Sequence, residues 1–168
     1  MKVIYERDRN RLTVDGVVFT VTNNVRNEID PIYVRKLHNP SEVRYTVNRD
    51  RSKGKPYMPR KFPKGVWKIT AVEWYSEPHG IPNFSKSEYG LVRIRTDATQ
   101  KVNVWKLDGA GGYDKKTDEL VDDYGYLFHY SNSSTTLGCG RIETQEAANK
   151  LAKIIELGLK DGVTLEVI

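Results

Sequence analysis

Two runs rich in β-branched residues flank a single dipeptide near the start of the chain. Arg11-Leu12-Thr13-Val14 leads into Asp15-Gly16, and Val17-Val18-Phe19-Thr20-Val21 leads out. Asp-Gly accepts the positive φ angles that a two-residue hairpin turn demands, and Thr, Val and Phe favour a pleated strand on either side. This segment predicts an antiparallel hairpin and commits the chain to a β-rich fold. Further strands are predicted over Gly65 to Tyr75, Leu91 to Arg95, Val102 to Leu107, Tyr124 to Tyr130 and Val163 to Ile168, with a short one near Val43 to Val47. Residues 22–64 carry Pro31, Pro40, Pro56, Pro59 and Pro63 and read as long loops. Asp108 to Asp118, with Gly109, Gly111 and Gly112, reads as a mobile loop.

One helix is predicted. Thr144 is its N-cap, and Ala147, Ala148, Leu151, Ile154 and Ile155 recur on one face, with Gly158 or Gly162 as the stop. The expectation is a mostly-β single domain over residues 1–168, β-sandwich-like with sheets packed face to face, plus one α-helix in the C-terminal region. Residues 1–61 supply the hairpin and loops, and 62–168 the catalytic core.

Of 168 residues, 38% are hydrophobic and 29% charged, a globular composition that excludes a disordered chain. No apolar run approaches the ~20 residues that a membrane-spanning helix needs. Met1 to Arg9 has no apolar signal core and no small-residue cleavage site, so no signal peptide is expected. The net charge of +5 is concentrated in Arg49, Arg51, Lys53, Lys55, Arg60, Lys61 and Lys64, with Tyr57 and Phe62 among them. Such a patch suits a polyanion, and its aromatic residues suit stacking on single-stranded nucleic acid. A solvated basic loop explains it equally well.

The single cysteine excludes an internal disulfide and a Cys-rich zinc site. A lone cysteine is commonly a small buried apolar group. Here its surroundings argue for chemistry. In Phe128-His129-Tyr130-Ser131-Asn132-Ser133-Ser134-Thr135-Thr136-Leu137-Gly138-Cys139-Gly140-Arg141-Ile142 a strand delivers His129, a small polar loop follows, and Cys139 sits between two glycines. A thiol attacks only as thiolate, and His129 as proton acceptor, Arg141 as fixed charge and the helix beginning near Thr144 as a dipole all favour that form. Gly138 and Gly140 allow close substrate approach, and the amides of Gly138, Cys139 and Gly140 are candidate oxyanion donors. A third group must orient the imidazole. A backbone carbonyl near Tyr130, the Ser131 hydroxyl and Asp122 are the candidates. His38 reads as structural or exposed, and His79 as part of an exposed loop.

Thr136-Leu137-Gly138-Cys139-Gly140-Arg141 resembles the signature of the YkuD-type L,D-transpeptidases, in which Ser/Thr, any residue, Gly, Cys, any residue and Arg follow a catalytic His. Phe62-Pro63-Lys64-Gly65-Val66-Trp67-Lys68-Ile69 also resembles that family's Pro-x-Gly lead into a strand. The chain departs from the commoner members in its short step from His129 to Cys139, in Leu137 where they have His, and in Tyr130 where they have Gly or Ser. The short step is similar to that of effectors delivered by type VI secretion systems. Phage wall enzymes are a second home for such a chain.

The resemblance implies a cysteine-dependent enzyme acting on peptidoglycan tetrapeptide stems, by transfer, L,D-carboxypeptidase hydrolysis or D-amino acid exchange. Cys139, His129 and Arg141 would be catalytic, and Tyr130, Ser131 and Thr136 substrate contacts. Neither metal nor cofactor is implied. The chain would be made in the cytoplasm and act in the periplasm or cell wall after delivery by a secretion system or phage, with an immunity protein as a partner. A nucleic-acid-binding module and an inactive wall-binding protein are the competing expectations.

Overall fold

In the computed structural model the described residues are 1–25, 57–75, 90–107, 113–133, 136 and 138–168. The expected strand near Val43 to Val47, His38, His79 and the basic residues from Arg49 to Lys55 lie outside them.

Among the described residues the protein is mostly β, with one α-helix and one hydrophobic core. Its strands are β1 (Lys2–Glu6), β2 (Arg11–Val14), β3 (Val17–Thr22), β4 (Gly65–Trp74), β5 (Val92–Thr96), β6 (Thr99–Leu107), β7 (Tyr113–Tyr124), β8 (Leu127–Tyr130), β9 (Gly140–Ile142) and β10 (Val163–Val167), with helix α1 at Gln145–Gly158. Eight of them close into a barrel in the order β1-β10-β4-β5-β8-β9-β3-β2, while β6 and β7 form a separate two-stranded arm. The expected face-to-face sandwich is therefore replaced by a closed sheet. Alternating apolar residues look alike in both architectures. The pairing that closes the barrel, β1 with β2 on one side and parallel to β10 on the other, joins the two ends of the chain. Closure leaves those eight strands without a free edge.

The barrel interior is filled by the alternate residues of each strand: Val3 and Tyr5, Leu12 and Val14, Phe19 and Val21, Val92 and Ile94, Val163, Leu165 and Val167. At its centre Phe62 stacks on Phe128 with centroids 5.0 Å apart, and the Tyr5 ring stands edge-on to both.

Asp15 and Gly16 turn the β2–β3 hairpin with φ of 48° and 75°, as their chemistry predicts. The Thr144 hydroxyl accepts from the Ala147 amide and caps α1, whose Ala148, Leu151, Ala152 and Ile155 face the core. Gly158 closes the α-helix, and a 3-10 turn over Leu159–Asp161 follows. Strands β1 and β9 were not expected. The mobile loop expected over Asp108 to Asp118 is also corrected: β7 begins at Tyr113. Lys115, Lys116, Asp118 and Glu119 are all exposed, so no apolar alternation marks this stretch as a strand.

Candidate functional site

Strands β8 and β9 run parallel, with Phe128 beside Gly140, His129 beside Arg141 and Tyr130 beside Ile142. Phe128 and Ile142 are buried in the core, so the pleat turns His129 and Arg141 to the outer face. On the other side of β8, antiparallel β5 sets Arg93 beside His129. Strand β4 then sets Glu73 beside Arg93. One row across four strands thus reads Glu73, Arg93, His129, Arg141. Cys139 lies one residue ahead of β9, partly exposed. The Arg93 charge reaches it across the sheet.

His129 is only 5% exposed. Its Nδ1 lies 2.7 Å from the Tyr130 carbonyl oxygen. A carbonyl only accepts, so Nδ1 carries the proton and Nε2 keeps its lone pair. Of the three orienting groups considered, the geometry selects this carbonyl. Asp122 is paired with Lys101 at 2.7 Å, and the Ser131 hydroxyl accepts from the Ser133 amide. Burial holds the imidazole down to about 4, with the Arg93 charge adding to the effect and the Tyr130 bond opposing it. The ring is thus neutral at neutral pH.

The backbone around Cys139 is clamped. Asn23, 3% exposed, donates through Nδ2 to the Gly138 carbonyl at 2.8 Å and the Cys139 carbonyl at 2.9 Å, while its Oδ1 accepts from the Phe62 amide at 2.7 Å. The Thr136 hydroxyl donates to the Cys139 carbonyl at 2.8 Å. Gly138 has φ of 117°, and a Cβ there would sit 2.6 Å from the Arg60 carbonyl oxygen, so only glycine fits.

Several expected roles change. Gly140 is buried inside β9, where a Cβ would meet the Phe128 ring and Val21, so core packing accounts for it rather than substrate approach. The Gly138 amide already donates to the Thr136 hydroxyl at 3.3 Å, which weakens it as an oxyanion donor. Arg141 donates from Nε to the Ser131 carbonyl at 2.6 Å, so it braces the loop between His129 and Cys139. Ser131 is buried, and Ser131 and Thr136 both serve that loop's internal bonding. Tyr130 is partly buried and packs against the core. Strand β9 and Glu143 stand between Cys139 and the N-cap, a span of roughly 10 Å or more of extended chain.

The sequence did not single out Asn23 or Arg93. Asn23 follows a strand as an ordinary polar residue. Arg93 carried a faint signal, since Val92-Arg93-Ile94-Arg95 alternates and puts two guanidiniums on one face. The aromatic residues of the basic patch are not available for stacking. Phe62 is fully buried, and Tyr57 is 3% exposed with its hydroxyl on Asp123 at 2.8 Å. A depression lined by Glu146, Asn149, Lys150, Lys153 and Ile154 lies on α1 and includes neither Cys139 nor His129. No helix among the described residues is long and apolar enough to cross a membrane.

Comparison of the chain with protein-family models, with curated proteins and with solved structures gave no match.

Proposed function

We propose that the chain is a cysteine-nucleophile acyl-transfer enzyme of the L,D-transpeptidase kind, acting on peptidoglycan stem peptides. The observation that carries this reading is the buried, neutral His129. Its Nδ1–H is tied to the Tyr130 carbonyl, which fixes the tautomer with the Nε2 lone pair, on the strand beside the one that Cys139 leads into. A neutral base with a fixed tautomer, next to a partly exposed thiol on a clamped loop, is what acyl transfer asks of a protein. The stem-peptide substrate rests on the resemblance of the Thr136 to Arg141 segment, and the barrel is then this chain's form of the YkuD-type β-domain.

On this reading Nε2 takes the thiol proton as sulfur attacks the carbonyl of the L-centre of the third residue, a diamino acid. The tetrahedral oxyanion is held by backbone amides near Cys139. His129 returns the proton to the leaving D-Ala amine, and a thioester remains on Cys139. Water releases a tripeptide, or an amine from a second stem or a free D-amino acid takes the acyl group. The place of action is the periplasm or cell wall, reached by a secretion system or a phage, with an immunity protein guarding the producer.

The test is incubation with purified muropeptides and mass spectrometry of the products, with Cys139→Ala alongside. Loss of terminal D-Ala, or its exchange, with the intact thiol alone supports the assignment. No product after long incubation with the folded protein overturns it.

A further inference from the structure

Arg93 makes no ion pair with an acidic side chain among the described residues. Its nearest acidic neighbour in the row, Glu73, is committed elsewhere: Oε1 pairs with Arg95 Nε at 2.6 Å and Oε2 accepts from the Tyr75 hydroxyl at 2.5 Å. The Tyr75 ring in turn lies under the Arg93 guanidinium, 4.7 Å from Cζ to centroid. The Arg93 Nη2 is buried and has no hydrogen-bond partner among the described residues. A buried guanidinium N–H left unsatisfied is costly, and a protein tolerates one chiefly where a ligand completes it. Arg93 stands beside His129 across β5 and β8, and its charge reaches both His129 and Cys139. Burial pulls the guanidinium below its ordinary value, as expected of a charge held out of water.

We propose that Arg93 is the carboxylate-binding residue of the Cys139–His129 site, so that the chain selects acyl donors with a free carboxylate close to the bond that is cleaved. A planar, pre-oriented guanidinium matches a carboxylate, and an in-register neighbour of the base puts that carboxylate near the leaving group. This favours a peptide whose last residue departs, over cleavage within a longer chain. The inference rests on the acyl-transfer reading for its meaning, but not for its test.

The test compares alkylation of Cys139 by iodoacetate and by iodoacetamide in the intact protein at neutral pH, with glutathione as the reference thiol. The ratio of the two rates cancels any change in thiol ionisation. In the wild type that ratio is expected to exceed the glutathione ratio about tenfold, the effect of one charged hydrogen bond. Arg93→Gln abolishes the excess, while Lys153→Gln, which removes an exposed charge on α1, keeps it. Equal ratios in wild type and Arg93→Gln overturn the proposal. Titration with N-acetyl-D-alanine and its methylamide gives a second readout that needs no thiol reactivity. Saturable thermal stabilisation by the acid alone, lost in Arg93→Gln, supports the site, and equal stabilisation by both compounds, or by neither, contradicts it. A folded protein alkylated by neither reagent thus fails the acyl-transfer reading, while the titration still decides Arg93. Arg93→Gln is also expected to melt no lower than wild type, because it removes a half-buried charge whose Nη2 lacks a hydrogen bond. A clear loss of stability would mark Arg93 as a structural residue instead.

Discussion

Asn23 holds the backbone of Cys139 from a position 116 residues earlier in the chain, through one amide hydrogen bond of 2.9 Å to its carbonyl. With the bonds to Gly138 and Phe62, every strong donor and acceptor of the Asn23 side chain is engaged and buried. Asn23→Ala orphans two carbonyls and an amide at once. It should cost about 3 kcal/mol of stability by chemical denaturation. It should also lower kcat/KM roughly a hundredfold, the expected cost of misplacing a nucleophile by about 1 Å. Asn23→Asp should be no better, since a carboxylate then faces two carbonyl oxygens. A variant with wild-type stability and turnover would mean the clamp is dispensable.

The pH dependence follows from His129. Its ring titrates at 6.5 when unfolded and at about 4 in the folded protein, because burial disfavours the cation. Between these values the unfolded chain binds the extra proton, so stability rises with pH there. This contribution is complete above the unfolded value and is lost as pH falls through the folded one. The span corresponds to about 3 kcal/mol. The difference in unfolding free energy between wild type and His129→Gln should slope across this window and be flat above it. The acid limb of kcat/KM should likewise lie near the folded value, because the base works while neutral. A limb near 6.5 would place the imidazole in water.

Gly140 is expected to act through packing. A Cβ there lies 2.6 Å from Phe128 Cε1 and 3.0 Å from Val21 Cγ1, and the Phe128 ring is held between Phe62 and Tyr5. Gly140→Ala should cost about 2–3 kcal/mol and lower Tm by roughly 5–10 °C. A glycine serving substrate approach would instead leave Tm unchanged and reduce kcat.

Tyr57 bridges Val104 of β6 and donates its hydroxyl to Asp123 of β7, which also accepts from Tyr126. Tyr57→Phe should cost about 1–2 kcal/mol, the loss of a buried hydrogen bond to a carboxyl group. It should leave affinity for single-stranded oligonucleotides unchanged. A fall in that affinity at constant stability would revive the nucleic-acid reading.

Local chemistry was legible in the sequence. Asp15-Gly16 announced its turn, Thr144 its cap, and Ala148, Leu151 and Ile155 their buried face, because each depends on a few neighbouring residues. Strand β9 is three residues long, too short to show a period. Strand β1 gains its place from parallel pairing of Lys2 with Thr164 and Tyr5 with Val167, a partnership of chain ends that no local pattern encodes. The same holds at the site. Cys139 and His129 were visible as residue types, and the register of β8 and β9 sets His129 beside Arg141, two residues after Cys139. The Tyr130 carbonyl has no side-chain signature, and the isolation of Arg93 exists only because Arg95 and Tyr75 occupy Glu73.

Trapping the covalent intermediate tests the central claim most directly. The protein is mixed with a tetrapeptide stem, quenched in acid and digested, and the peptide carrying residue 139 is weighed. A mass increase equal to the tripeptide acyl group, labile to hydroxylamine, is expected on Cys139 in the wild type. It should form at least about a hundredfold more slowly in His129→Gln. Turnover of the stem by the Cys139→Ala variant, or an acyl group found on any other residue, would contradict the account.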